Sequence, residues 1–171
     1  MFIDRWINIH YIKHNINNVM KMIPKKLKTQ VVEDISVFGA LPFYLFLSIF
    51  VMLLGEIKLF LWLIIGLFLA YGITILIRAF YYKDRPTKEN YNGFIEKINT
   101  SSFPSLHSLR VTLIFCLFGF YYKSVYLTIL FFFIMLLVFF SRYNLKKHFK
   151  IDIIFGFVLG VIESFIIVFL F

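Results

Sequence analysis

The chain has 171 residues, of which 61% are hydrophobic and 24 are Phe, and its mean hydropathy is +0.85. Those values exclude a disordered chain and an ordinary soluble domain, and they predict an all-α integral membrane protein. The net charge of +9 fits cationic loops at a lipid surface, with no nucleic acid as partner. The single cysteine, Cys116, lies inside an apolar run, which leaves no internal disulfide and little scope for redox chemistry.

In the first 23 residues, Phe2, Trp6, Ile9, Ile12, Ile16, Val19 and Ile23 recur at steps of three and four between charged residues and asparagines. Too polar to cross lipid, this stretch predicts an amphipathic helix lying in the interface. It has neither the apolar core nor the cleavage site of a signal peptide. Pro24 ends it, and Lys25, Lys26 and Lys28 follow as a basic anchor. Residues 1–30 thus read as an interfacial unit and residues 31–171 as a transmembrane unit. His10 and His14 have the i, i+4 spacing of metal ligands but no third ligand nearby, so no metal is expected there.

About five transmembrane helices follow. Residues 35–54 are a run of 20 uncharged residues, long enough to cross about 30 Å of hydrocarbon, with Pro42 as its kink. Residues 55–58 make a tight turn, and residues 59–77 form a second span that exits at Arg78. A polar stretch over residues 83–102 leads to a third helix, running from the region of Ser105 to about Tyr122, with Ser101, Ser102 and Ser105 as caps to choose from. Residues 124–140 and 153–171 are the fourth and fifth spans. With five crossings, Arg78, Ser105, Arg142 and His148 open on one face, and of the basic residues only Lys58 and Lys123 lie on the other.

Three short motifs meet on that site face. Arg78 and Arg85, seven apart and followed by Pro86, stand at a helix exit. Pro104-Ser105-Leu106-His107 opens a helix, where free N–H groups and the positive dipole end favour an anion. Ser141 and Arg142 precede His148 and Asp152, which are four apart. If the last helix begins near His148, the Asp152 carboxylate lies within reach of the ring. It then holds one nitrogen as N–H and leaves the other lone pair free to attack. Taken singly, each feature has a plainer reading: a helix-end anchor for the arginines, a cap for Ser105, a surface ion pair for His148 and Asp152. Together they supply guanidiniums, a hydroxyl, two imidazoles and a carboxylate, a set suited to phosphoryl transfer, in which catalysis is largely cationic clamping and positioning.

In this order the motifs resemble the signature of the type 2 phosphatidic acid phosphatase superfamily, which also contains the vanadium haloperoxidases. The family pattern is Lys-x6-Arg-Pro, then Pro-Ser-Gly-His, then Ser-Arg-x5-His-x3-Asp. The third motif matches at every fixed position, Leu106 replaces the usual Gly, and Arg78 replaces the usual Lys, Lys83 standing at another spacing. The resemblance covers Arg78 to Asp152. It implies His148, oriented by Asp152, as the nucleophile that becomes a phosphohistidine, and His107 as general acid and then base. It also implies phosphoryl binding by Arg78, Arg85, Arg142 and Ser105, with no metal or other cofactor. The implied activity is a membrane lipid phosphatase acting on a phospholipid or an isoprenoid lipid phosphate. Polyprenyl diphosphate, phosphatidic acid, phosphatidylglycerophosphate and lipid A 1-phosphate are its substrate candidates, reached sideways from the bilayer. One alternative is a lipid phosphotransferase, whose members often carry Pro-Ser-Leu-His but generally lack the Ser-Arg of the third motif. The other is a catalytically silent membrane protein or transporter. The resemblance places the site face outside the cytoplasm, whereas the distribution of basic residues favours the cytoplasmic side.

Two more charged residues fall in the apolar helices. Arg110, three past His107, either touches the headgroup or snorkels to the interface. Glu163, 11 residues past Asp152, lies about 16 Å deeper, where an ionisable group is a functional candidate. Its plainer reading is a neutral carboxyl hydrogen-bonded inside the bundle.

Overall fold

The structure is a computed structural model that describes residues 24–87 and 91–171. The amphipathic helix and the two histidines expected in residues 1–23 lie outside the described residues. Among the described residues all regular structure is helical. Helix α1 (Lys25–Ser36) takes in Lys25, Lys26 and Lys28 in its first turn and runs through residue 30. A short 3₁₀ turn, Val37–Gly39, and an extended Ala40 separate it from α2 (Leu41–Leu53). The two helices meet at 45°. The expected single span over residues 35–54 is therefore a bent pair. Pro42 has no N–H to continue the preceding helix, but that deficit is harmless in a first turn, so the chain breaks just before it and starts again.

Helices α3 (Ile57–Phe80), α6 (Val125–Asn144) and α7 (Lys150–Leu170) are each long and apolar enough to cross a membrane, and the bent pair makes a fourth crossing if counted as one. Helix α4 (Phe94–Thr100) lies within the polar stretch expected to be a loop. The fifth apolar helix, α5 (Leu106–Tyr122), has only 17 residues and is the most enclosed, packed against α3, α6 and α7. Hydropathy alone does not separate such a central helix from a lipid-facing one. What marks α5 is the set of polar groups it buries, Ser108, Arg110 and Thr112.

Close approach of α5 and α7 depends on small residues. A Cβ at Gly156 would lie 2.5 Å from the Ser105 carbonyl oxygen, and one at Gly160 would lie 2.8 Å from Thr112 Cβ. Between them these glycines let the backbones touch, as small-x-x-x-small pairs do in membranes. At the far end, the Tyr121 hydroxyl lies 2.5 Å from the Glu56 carboxylate, and Lys58 sits 5.0 Å from the centre of the Trp62 ring. All three motifs consequently gather at the opposite end of the bundle.

Candidate active site

The two ends of the third motif are set by different elements. Ser141 and Arg142 sit in the last turns of α6, which runs four residues beyond the expected end of its span. The Ser141 hydroxyl donates to the Val32 carbonyl at 2.7 Å, and Arg142 Nη1 donates to Ser36 Oγ at 2.8 Å. Both residues thereby clamp α1 to α6, and the charge of Arg142 also reaches His148 and His107. His148 lies in the loop before α7, whose first residue is Lys150. The helix begins two residues too late for an i, i+4 contact. His148 Nδ1 instead lies 2.7 Å from the Ser102 carbonyl oxygen. A carbonyl only accepts, so Nδ1 carries the proton and Nε2 carries the lone pair.

Direct orientation of His148 by Asp152, as the motif implies, is thus corrected to an indirect one. Asp152 is the third residue of α7 and turns back to accept the Phe149 N–H at 2.9 Å, the ordinary role of a carboxylate in a first helical turn. Its remaining capacity is taken by Lys83 Nζ at 2.5 Å and by the Ser102 hydroxyl. Ser102 therefore joins the two, its hydroxyl on Asp152 and its carbonyl on His148. A second bond, from the Ser102 N–H to the Lys83 carbonyl at 2.8 Å, fixes the same residue. Neither Lys83 nor Ser102 stands out from motif spacing. The only sequence signal for Lys83 is a cation beside the conserved-pattern residues Arg85 and Pro86 that the pattern itself does not use.

His148 is 3% exposed. Burial, and then the charges of Arg142 and Arg85, push its pKa down to about 3 against the opposing pull of the Ser102 carbonyl and Asp152. At neutral pH the ring is accordingly uncharged and nucleophilic. His107, in the first turn of α5, has no hydrogen-bond partner among the described residues, and the charges of Arg142, Arg110 and Arg85 all act on it. Both imidazoles and the cations thus share one small region. A cleft of about 750 Å³ opens beside His148, lined by Pro86, Tyr143, Lys146 and Phe149 among others.

The arginines differ in how far they are engaged. Arg78 is buried and donates from Nη1 to the Ile98 carbonyl at 3.2 Å and from Nη2 to the Pro104 carbonyl at 2.8 Å. It holds the segment between α4 and α5 in place. Arg85 Nη2 donates to the Asn99 carbonyl at 2.8 Å. Ser105, fully buried, is the N-cap of α5, its Oγ 3.4 Å from the Ser108 N–H and 2.9 Å from Ser108 Oγ. Its own N–H donates to the Asp152 carbonyl at 3.1 Å, which locks the start of α5 to α7. Among the described residues, no three His, Cys, Asp or Glu side chains lie close enough to hold a metal ion.

The model of the PAP2 superfamily matches residues 59–171. The chain belongs to the PAP2 superfamily. Its fold is similar to that of Aquifex aeolicus LpxE, with a TM-score of 0.71 and 20% identity over 86% of this chain and 88% of that one. It is also similar to the transmembrane PAP2 type phosphatidylglycerolphosphate phosphatase of Bacillus subtilis, with a TM-score of 0.67 and 21% identity over 94% of this chain and 84% of that one. No curated protein matches the sequence. For a PAP2 protein, the placement of the three motifs at one end of a helical membrane bundle is the arrangement that the sequence resemblance implies.

Proposed function

We propose that this PAP2 protein is a membrane lipid phosphatase that cleaves a phosphate monoester or diphosphate through a phosphohistidine at His148. The observation that carries the reading is the Ser102 carbonyl on His148 Nδ1, which leaves a neutral ring with its lone pair on Nε2, in reach of the charges of Arg142 and Arg85. Arg85 and Arg142 clamp the equatorial phosphoryl oxygens, Arg78 adds its charge while fixing the loop, and the capped start of α5 at Ser105 offers its dipole. His107 protonates the leaving oxygen and then draws the proton from the water that hydrolyses the phosphohistidine. Asp152 serves as a positioning residue through Ser102. No step in this scheme draws on a metal.

Phosphatidylglycerophosphate, phosphatidic acid, a polyprenyl diphosphate and lipid A 1-phosphate are the lipids to try. Helix α4 fills the longest polar segment and turns Phe94 and Ile95 outward, 65% and 75% exposed, which suits an interfacial helix beside a bilayer substrate. The site end faces away from the cytoplasm in this reading. Purified protein in mixed micelles should release inorganic phosphate from at least one of these lipids, with vanadate as an inhibitor. His148→Ala should abolish release while the protein still melts cooperatively. Wild-type turnover in that variant would end the phosphohistidine scheme. Leu106 favours the phosphotransferase reading, which requires an acceptor lipid; release of phosphate without one excludes it.

A further inference from the structure

Inward from the motifs, α3 and α5 are in contact and both carry polar residues. On α3, Arg78, Thr74 and Tyr71 stand at steps of four and three, and so share one face. On α5, Arg110 follows His107 by three residues, about 4.5 Å further along the axis. Arg110 is 3% exposed and does not snorkel. Its Nη1 donates to the Tyr71 hydroxyl at 3.0 Å, and its Nε has no acceptor. Thr74 is 2% exposed and its hydroxyl has no partner. Among the described residues no carboxylate pairs with Arg110, and Glu163, deeper on α7, also has both oxygens without a hydrogen bond. A buried guanidinium whose only phenolic neighbours among the described residues are Tyr71, hydrogen-bonded to it, and Tyr44 is unfavourable until an anion arrives. The charge of Arg110 reaches both His107 and Arg78, so the anion it would meet is one that extends from the reaction centre.

We propose that Arg110 and the Tyr71 hydroxyl form a second anion subsite that binds the inner phosphate of a lipid diphosphate, making the diphosphate the preferred substrate. This rests on the phosphatase reading above and narrows it. In-line displacement places the leaving group opposite His148, on the side of His107. His148 Nε2 bonds to the outer phosphorus and the bond from that phosphorus to the bridging oxygen breaks. The electron pair stays on the bridging oxygen, which takes a proton from His107 and becomes an oxygen of the lipid monophosphate. Water then attacks the phosphohistidine, gives its proton to His107, and releases inorganic phosphate. The inner phosphate, joined to the lipid tail, lies beyond His107 and deeper, where Arg110 stands. A monoester presents a neutral alkoxy carbon there and leaves the guanidinium without a counter-charge. Sites built around a buried polar group discriminate in this way against ligands that fail to satisfy it.

The test compares diacylglycerol diphosphate with phosphatidic acid of the same acyl chains, as initial rates of phosphate release in mixed micelles. Wild-type protein should favour the diphosphate in kcat/KM by about 10- to 100-fold, the effect of one or two charge-assisted hydrogen bonds. Arg110→Gln should lower kcat/KM for the diphosphate at least about tenfold more than for the monoester, and Arg110→Lys should restore part of that difference. Tyr71→Phe removes only a hydroxyl and should reduce the preference without unfolding the protein, which guards against a misfolded Arg110 variant. Equal losses on both lipids, or no preference in the wild type, would overturn the subsite and leave the phosphatase intact. Release from neither lipid nor any other in the panel would instead remove the phosphatase reading, and the subsite with it.

Discussion

At the level of single residues, His148 takes its orientation from a backbone carbonyl, and that carbonyl is fixed by a side chain fifty residues away in sequence, the Asp152 carboxylate acting on Ser102. Removing the Ser102 hydroxyl leaves the carbonyl in place on its Lys83 tether but loosens the loop that carries it. Ser102→Ala should therefore lower kcat by about 10- to 100-fold, as sub-ångström misplacement of a nucleophile does, with KM changed by less than about twofold. A KM rise with unchanged kcat would mean that Ser102 serves binding instead. The third motif is readable from residue types and spacing, and so is the chemistry it suits. The link from Asp152 to His148 is not, because the i, i+4 reading presumes helix at both positions. Phe149 is the cap, so His148 falls outside the helix by one residue. Element boundaries are the least readable property of a sequence, and here one residue decides which partner the imidazole has. Glu163 is a second departure: the carboxyl expected to be hydrogen-bonded in the bundle has no such bond among the described residues.

Among the helices, α5 and α7 form the contact on which the site depends, since Ser105 and His107 open one and Asp152 opens the other. Four residues separate Gly156 from Gly160, so both face α5, and each has a backbone atom of α5 within 3 Å of where a Cβ would stand. Gly156→Ala must move either helix, and its nearest obstacle is the carbonyl of Ser105 itself. The expected cost is about 1–3 kcal/mol of stability, read from unfolding in detergent, together with a loss of turnover as the start of α5 shifts. Gly72→Ala is the control, because nothing lies within 4 Å of a Cβ there and alanine favours a helix. Equal effects of the two changes would mean that α5 and α7 do not touch as described. The role of this glycine pair was not legible in the sequence, since two glycines four apart on α7 do not say which neighbour they meet.

Considered as a whole, the molecule has two unlike ends. Glu56, Lys58 and Tyr121 close one of them, and the motifs, with most of the basic residues among those described, crowd the other. The usual rule would send the more basic end to the cytoplasm. That rule counts charges free to act on insertion, whereas here Arg78 is bound to two carbonyls, Arg142 to Ser36 and Lys83 to Asp152. Charges committed to a site inside the bundle are weak guides to orientation. The proposal of an outward-facing site can be checked with single cysteines in a Cys116→Ala background, at Asn144, exposed at the end of α6, and at Lys58. In intact bacterial cells a membrane-impermeant maleimide should label Asn144→Cys, while Lys58→Cys should react only after permeabilisation. The reverse pattern would put the site in the cytoplasm and leave the fold untouched. Labelling of both from the same side would be the more serious result, because α3 would then fail to cross the membrane between Lys58 and Arg78, and the three motifs would no longer meet as one site.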